Sequence, residues 1–567
     1  MRRSSRALGA MFMCAAAAAA AASCRGCVRE RVEVTRLLSR EAANAVVVPA
    51  PSATLQRLRK LLGRFEGSSV GEQAKDVVRD LSGRLGFNPF DRGGWLKAGL
   101  DPDKGLAVTL ETVKKEGKDV DVPLFVIGVD DAGTFDKTVR RLAKEQERAE
   151  LYGTQGYKQS RITTILRQTP AGDRPLFAYA VYEGYAVFGD AAGGVDAIRR
   201  LVDRRLQNGL DSAPSYKRML GKARTGADVH VFVNEGAGAD KVPLMSRRAA
   251  EMFRAAREHF KGMLAALSIE NGFSLEVFLG LSDSAAATAA SYMAGTPKLA
   301  PAMLKTVSED ALAVFKGSAD LQKLYAKMKR DAPAETFQLN KAIFGWMQKF
   351  AEIDPDEKII PALSGDLTYA VFPGNLELAG EVIAHGIRGG AHLKLVNLAY
   401  AVSLRDPARA SAAMLEFENG LRAHGVAVTE RQVNAVRFKT AQIGSGFESA
   451  WTFKDRLFLG AYGPGRLERA VGLAGGAPGG ILEKVSGDSA RDLLLSDGSE
   501  VLYVNFGSIA RALKSVKKEH LGVGSGTLFV QSFLDLVKDV LARLADGVVA
   551  VRAAPGGLKL DVALNFR

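Results

Sequence analysis

Ala180-Val-Tyr-Glu-Gly-Tyr-Ala-Val-Phe-Gly189 and Trp451-Thr-Phe-Lys-Asp-Arg-Leu-Phe-Leu-Gly460 read as two versions of one element. Each is a pair of apolar runs around a two-residue turn, Glu183-Gly184 in the first and Lys454-Asp455 in the second, the pattern of a tight β-hairpin. Each then meets a glycine cluster, Gly193-Gly194 or Gly463-Pro464-Gly465, that leads into a short helix. Each later reaches a second strand, Val231-Phe-Val-Asn234 or Leu502-Tyr-Val-Asn505. Gly189 to Asn234 and Gly460 to Asn505 are both 45 residues apart. Equal spacing between matching elements is what a duplicated module leaves in a sequence.

Working outward, Leu124-Phe-Val-Ile-Gly-Val129, a turn at Asp130-Asp131 and a helix over 134–149 are matched by Leu398–Leu404, Arg405-Asp406-Pro407 and a helix over 410–420. The closing strands Phe273–Leu279 and Leu558–Leu564 also correspond. These three blocks recur in one order at offsets of 275, 271 and 285 residues. A weaker match sets Asp101-Pro-Asp-Lys104 against Asp354-Pro-Asp-Glu357. The spacing predicts two homologous tandem halves, 51–297 and 298–567, joined near Gly295-Thr-Pro297. Alternating strands and tight hairpins predict largely antiparallel sheets with helices packed on one face, an α+β class. Ser52 is placed to cap a first helix running to about Gly67, and a second covers about 70–85. Val181 and Val187, like Thr452 and Phe458, belong on paired hairpin strands, with Trp451 mostly buried.

A chain of 567 residues exceeds one hydrophobic core. Its apolar share of 47% and charged share of 25% are those of a globular protein. No stretch after residue 30 has the uninterrupted apolar length of a spanning helix, which predicts a soluble body. The N-terminus differs. Arg2, Arg3 and Arg6 precede an uncharged run from Ala7 to Ala22, a basic region followed by a short apolar one, so residues 1–23 read as a secretory signal. All three cysteines, Cys14, Cys24 and Cys27, lie in the first 27 residues, which leaves the body without a disulfide framework or a cysteinyl metal site. The net charge is +14, of which residues 1–60 hold +8. That asymmetry points to a basic leader beside anionic lipid headgroups and away from nucleic acid, with a plain solvated tether as the alternative.

Ala21-Ala22-Ser23-Cys24 resembles the bacterial lipobox, departing from it at Ala21, where leucine is usual. The resemblance implies a diacylglyceryl thioether on Cys24, residues 24–50 as a lipidated tether, membrane lipid as a partner, and, with Arg25 after the cysteine, the outer membrane of the cell envelope. Ordinary signal cleavage or an uncleaved anchor are the alternatives. The hairpin, the block Asp211-Ser-Ala-Pro-Ser-Tyr-Lys-Arg-Met-Leu220 and the strand Val231–Asn234 together resemble a widespread family of exported bacterial proteins known only as a domain of unknown function. The second half departs from that pattern at Gly487–Leu493, which lacks the aromatic residue. Gly86-Phe-Asn-Pro-Phe-Asp91 through Gly105 is similar to the start of alanine-rich lipoproteins of myxobacteria and their relatives. Neither resemblance implies a catalytic residue.

No motif supplies chemistry. Gly522-Val-Gly-Ser-Gly526 lacks the preceding strand a dinucleotide fingerprint requires. The histidines at 230, 259, 385, 392, 424 and 520 show no short metal-ligand spacing. Asp130, Asp131 and Asp136 fail as a calcium loop because Arg141 stands where a glutamate is needed, and Asp131 reads better as a helix N-terminal acid. Gly444-Ser445-Gly446 is not a nucleophile elbow. The sequence therefore predicts no cofactor, no metal site and no catalytic residue. It points to a membrane-anchored binding or scaffolding module for an envelope protein or small ligand; the alternative is an envelope hydrolase or transferase whose site no motif flags.

Overall fold

The computed structural model describes residues 32–115, 117–191, 193–204, 206–223, 226–235, 257–293, 300–318, 353–375, 395–433, 435–442, 448–485, 488–496, 499–515 and 540–567, with a few isolated positions between them. The chain divides into two compact units, Met1–Ser282 and Asp283–Arg567. The expected joint at 297/298 falls within the second, because the helix Asp283–Met293 packs on the last two strands of that unit.

The N-terminal unit contains β1 (Asn44–Val48), β2 (Leu106–Lys115), β3 (Lys118–Gly128), β4 (Leu151–Tyr157), β5 (Ser160–Thr169), β6 (Gly172–Tyr182), β7 (Tyr185–Asp190), β8 (Val229–Val233), β9 (Phe260–Ile269) and β10 (Gly272–Leu281). Their pairing order is β10-β9-β8-β1-β2-β3-β7-β6-β5-β4, antiparallel at every step. The C-terminal unit contains β11 (Ala313–Ser318), β12 (Leu363–Pro373), β13 (Val396–Leu404), β14 (Val428–Val433), β15 (Val436–Gln442), β16 (Glu448–Lys454), β17 (Leu457–Tyr462), β18 (Ser499–Val504), β19 (Leu544–Ala554) and β20 (Gly557–Phe566). Here the order is β20-β19-β18-β11-β12-β13-β17-β16-β15-β14, again antiparallel throughout. The two orders are the same strand for strand.

The expected class, α+β with helices on one face of two halves, is overturned. The architecture is mostly β: 41% of the described residues lie in strands, all antiparallel, against 36% in helices. Two physical reasons account for the difference. Strands such as β4, Leu-Tyr-Gly-Thr-Gln-Gly-Tyr, and β14, Val-Thr-Glu-Arg-Gln-Val, carry almost no apolar alternation, and their backbone pairing alone places them in the sheet. In addition, helices lie on both faces. Phe188 and Gly189 are neighbours on β7 and point to opposite sides. Phe188 meets Phe135 of the helix Ala132–Glu147, with ring centroids 5.8 Å apart. Gly189 lies against Gly194, where the helix Gly194–Arg204 begins and where a Cβ on either glycine would clash with the other's backbone.

The expected tether is corrected as well. Residues 44–48 form β1, which pairs with both β2 and β8 and so lies inside the sheet. Leu37 and Leu38 are buried with it. Asn-Ala-Val-Val-Val is a short apolar strand, and its burial on both faces explains why it has no polar alternation to announce it. Ser52 is not the cap of the first helix, Pro51–Gly63, which begins with proline at its first position; Ser68 caps the second, Ser69–Leu85, accepting from the Gly71 amide at 3.0 Å.

The first hairpin turns at Glu183-Gly184, both with positive φ (51° and 76°), as a tight two-residue turn requires. The second turns one residue later than expected. Lys454 pairs with Leu457, so the loop is Asp455-Arg456, with Asp455 at φ 55°. Gly189 and Gly460 therefore do not correspond. Counted from the turns and from the pairing with β3 and β13, Gly460 occupies the position of Phe188. Trp451 is buried as expected, 4% exposed.

Candidate ligand-binding groove

That one-residue shift locates the site. In the N-terminal unit the space between the helix Ala132–Glu147 and β3, β7 and β6 is filled by aromatic rings: Phe135, Phe188, Phe177, Phe125 and Tyr179, with centroids between 5.8 and 6.4 Å apart. The C-terminal unit has the same surroundings. Its helix Pro407–Ala423 begins at Asp406, whose carboxylate accepts from the Arg409 amide at 3.0 Å, as Asp131 accepts from Thr134 at 2.6 Å. Matching positions by cap and register sets Phe135 against Ala410, Phe188 against Gly460, Phe177 against Ser449, Phe125 against Tyr400 and Tyr179 against Trp451. Three phenyl groups are missing at once. Where they would stand there is a groove of about 490 Å³.

Its floor is made of alternate residues of four adjacent strands: Leu367 and Tyr369 of β12, Leu398 to Leu404 of β13, Ser449 to Phe453 of β16, and Phe458 and Tyr462 of β17. Met414 and Phe417 of the helix form one wall. The six steps from Leu398 to Leu404 give a length of about 20 Å. The two ends differ. Tyr369 pairs with Tyr400 and Ser449 with Tyr462, which gathers three phenols and a hydroxyl at one end; Ala362, Leu363, Leu404, Phe453 and Phe458 make the other wholly apolar. Tyr400 leans over Gly460, whose Cβ would fall 2.2 Å from the ring. Its ring lies 6.3 Å from Tyr462. Burial pushes the Tyr369, Tyr400 and Tyr462 phenols above their ordinary value, so all three remain neutral.

Among the described residues no charged side chain lines the groove. Glu418 sits behind Trp451 and is 3% exposed. Trp451 Nε1 donates to its Oε1 at 3.3 Å, while Lys439 Nζ donates to Oε2 at 2.5 Å. Glu418 thus fixes the indole as a wall and is neutralised on its far side. In the N-terminal unit Tyr179 likewise donates to a helix carboxylate, Asp136, at 2.5 Å.

The features singled out from sequence contribute nothing here. Asp131 is a helix cap. His230, His259 and His424 lie on separate elements, and among the described residues no group of three or more His, Cys, Asp or Glu is placed to hold a metal. Cys24, His385, His392, His520, Gly444–Gly446 and Gly522–Gly526 lie outside the described residues. The equal spacing in the sequence aligns the two glycines with each other and so hides the groove residues. That alignment sets Phe188 against Leu459 and conceals the loss of its ring.

A family model matches residues 8–463, the greater part of the chain. The chain belongs to the family described as protein of unknown function (DUF3352). The coarse resemblance read from the hairpin and the block at 211–220 therefore holds. No curated protein and no solved structure matches the chain. Among the described residues no helix is long and apolar enough to cross a membrane.

Proposed function

We propose that this member of the family is an exported envelope lipoprotein, anchored through Cys24, that binds an elongated, uncharged, apolar ligand in the groove of its C-terminal unit. The observation that carries the reading is the uncharged lining of the groove at the place where the other unit packs three phenylalanines. A groove of this kind leaves apolar surface facing water, which an apolar ligand would cover. Its size is that of a small-molecule site, and its composition, apolar with a few hydroxyls at one end, favours a long hydrocarbon chain carrying a neutral polar group. An ionised head would find no counter-charge inside and would be costly to bury. The anchor rests on the resemblance of residues 21–24 to a lipobox, and the alanine-rich lipoproteins are the relatives this reading favours.

Filling the groove tests the reading. Ala410→Phe with Ser449→Phe restores two of the rings found in the other unit. Wild type is expected to bind hexadecanol and to discriminate against ionised hexadecanoate, and the double variant is expected to lose about tenfold or more in affinity while remaining folded. Absence of hexadecanol binding by wild type, or equal binding by the double variant, would refute the assignment.

A further inference from the structure

A second cavity, of about 570 Å³, lies wholly within the N-terminal unit. Its character is opposite to that of the groove. Two polar side chains on its lining, Thr35 (7% exposed) and His230 (8% exposed), have buried atoms, Oγ1 and Nε2, with no hydrogen-bond partner. Native structures rarely leave such groups unsatisfied, and each instance asks for an explanation. Two in one cavity ask for a shared one. They come from different elements: Thr35 from the turn Val34–Arg36, and His230 from β8, opposite Val47 of β1. Tyr216, 3% exposed and held edge-on against Phe232 at 5.2 Å, adds a phenol to the lining. The ring of buried Tyr185 adds an aromatic surface, its hydroxyl donating to the Val32 carbonyl at 2.8 Å.

The buried imidazole and phenol of this cavity are neutral. Burial lowers the His230 pKa, and burial followed by the Glu33 and Asp211 charges pushes Tyr216 up to about 12, so imidazole and phenol are both uncharged at neutral pH. Most of the charges around it are already paired: Asp103 with Arg92 at 3.0 Å, Asp211 with Arg36 at 3.7 Å and Lys104 with Asp101 at 3.5 Å. Glu33 and Lys217 stand exposed at the rim. Hydroxyl, neutral imidazole and phenol can each donate and accept, and a ligand hydroxyl does the same. We propose that this cavity binds a polyhydroxylated, uncharged ligand of the saccharide class, with Thr35, His230 and Tyr216 as its hydrogen-bonding partners and Tyr185 as an aromatic face. The site is separate from the apolar groove and does not depend on its assignment.

The test uses glucose, N-acetylglucosamine and chitobiose as probes on the full chain, followed by calorimetry and ligand-observed NMR. At least one is expected to bind wild type, and Thr35→Val and His230→Leu are each expected to weaken it by about tenfold or more, because each leaves a ligand hydroxyl unpaired. Both variants should melt at or above the wild-type temperature without sugar, since each removes an unpaired buried group, and that result separates lost binding from lost folding. If no sugar binds and the variants only raise the melting temperature, the orphaned atoms are satisfied by water and the proposal fails. Undiminished binding by both variants would place the sugar elsewhere and overturn it equally.

Discussion

Three ring deletions, at positions 410, 449 and 460, convert a packed aromatic layer into a groove, and in each case the backbone around the missing side chain is kept. Compensation is partial: Trp451 is larger than Tyr179, and Tyr400 bends over Gly460, but neither reaches across the space. His230 shows the same residue-scale logic in a titratable group. Burial lowers its pKa from an ordinary value near 6.5. As pH falls through about 6.5 the unfolded chain takes up a proton that the folded chain does not, so this contribution to stability is full above that pH and is lost as pH falls toward the folded pKa. Denaturant melts at about pH 7.5 and about pH 5 should therefore show a larger loss for wild type than for His230→Leu. Equal losses would mean that the imidazole is solvated in the folded state.

The element that defines the groove is the helix Pro407–Ala423, and its hold on the sheet runs through Trp451. The indole packs against Phe417 at 6.4 Å and donates to Glu418 of the same helix. Trp451→Ala should cost about 3 to 5 kcal/mol, as large aromatic truncations in cores do. Trp451→Phe should recover most of that loss but not the bond to Glu418. A measured loss below about 1 kcal/mol for Trp451→Ala would show that the indole does not hold the helix to the sheet. The hairpins, the capped helices at Asp131 and Asp406 and the closing strands were legible at this scale because turn chemistry, N-caps and alternation are local. Strands β4 and β14 were not, since Thr, Gln and Arg leave no period to read.

At the scale of the whole molecule, a lipid on Cys24, as proposed, would hold the body closer to the membrane than a 24–50 tether implies. With β1 inside the sheet and Val34, Leu37 and Leu38 in the core, residues 25–33 are what would separate Cys24 from the buried chain. Fully extended, such an interval could reach at most about 33 to 36 Å. A body held this near a bilayer would keep the basic side chains of Arg25, Arg29, Arg31, Arg36 and Arg40 within reach of anionic headgroups. Replacing Cys24 with Ser and labelling cells with a fatty-acid analogue is expected to abolish the label and move the protein into the soluble fraction. A wild type that takes up no label, or a Cys24→Ser protein that still sediments with membranes, would remove the lipoprotein assignment.

Local signals in the chain were enough to predict antiparallel hairpins, the positions of the four longest described helices, the burial of Trp451 and membership of a family of unknown function, because each depends on a few neighbouring residues. Which residues face one another depended on the tertiary structure. A hairpin read one position out of register exchanges the two faces of a strand, since side chains alternate with a period of two. In sequence, Gly460 looked like the partner of Gly189 at a helix contact. In the folded chain it stands where Phe188 stands, on the opposite face, and the missing ring is what opens the groove. The second cavity was hidden for a related reason: Thr35 and His230 are 195 residues apart in the chain, and it takes the folded chain to bring the turn Val34–Arg36, which packs on β2, and His230 of β8 to the lining of one space.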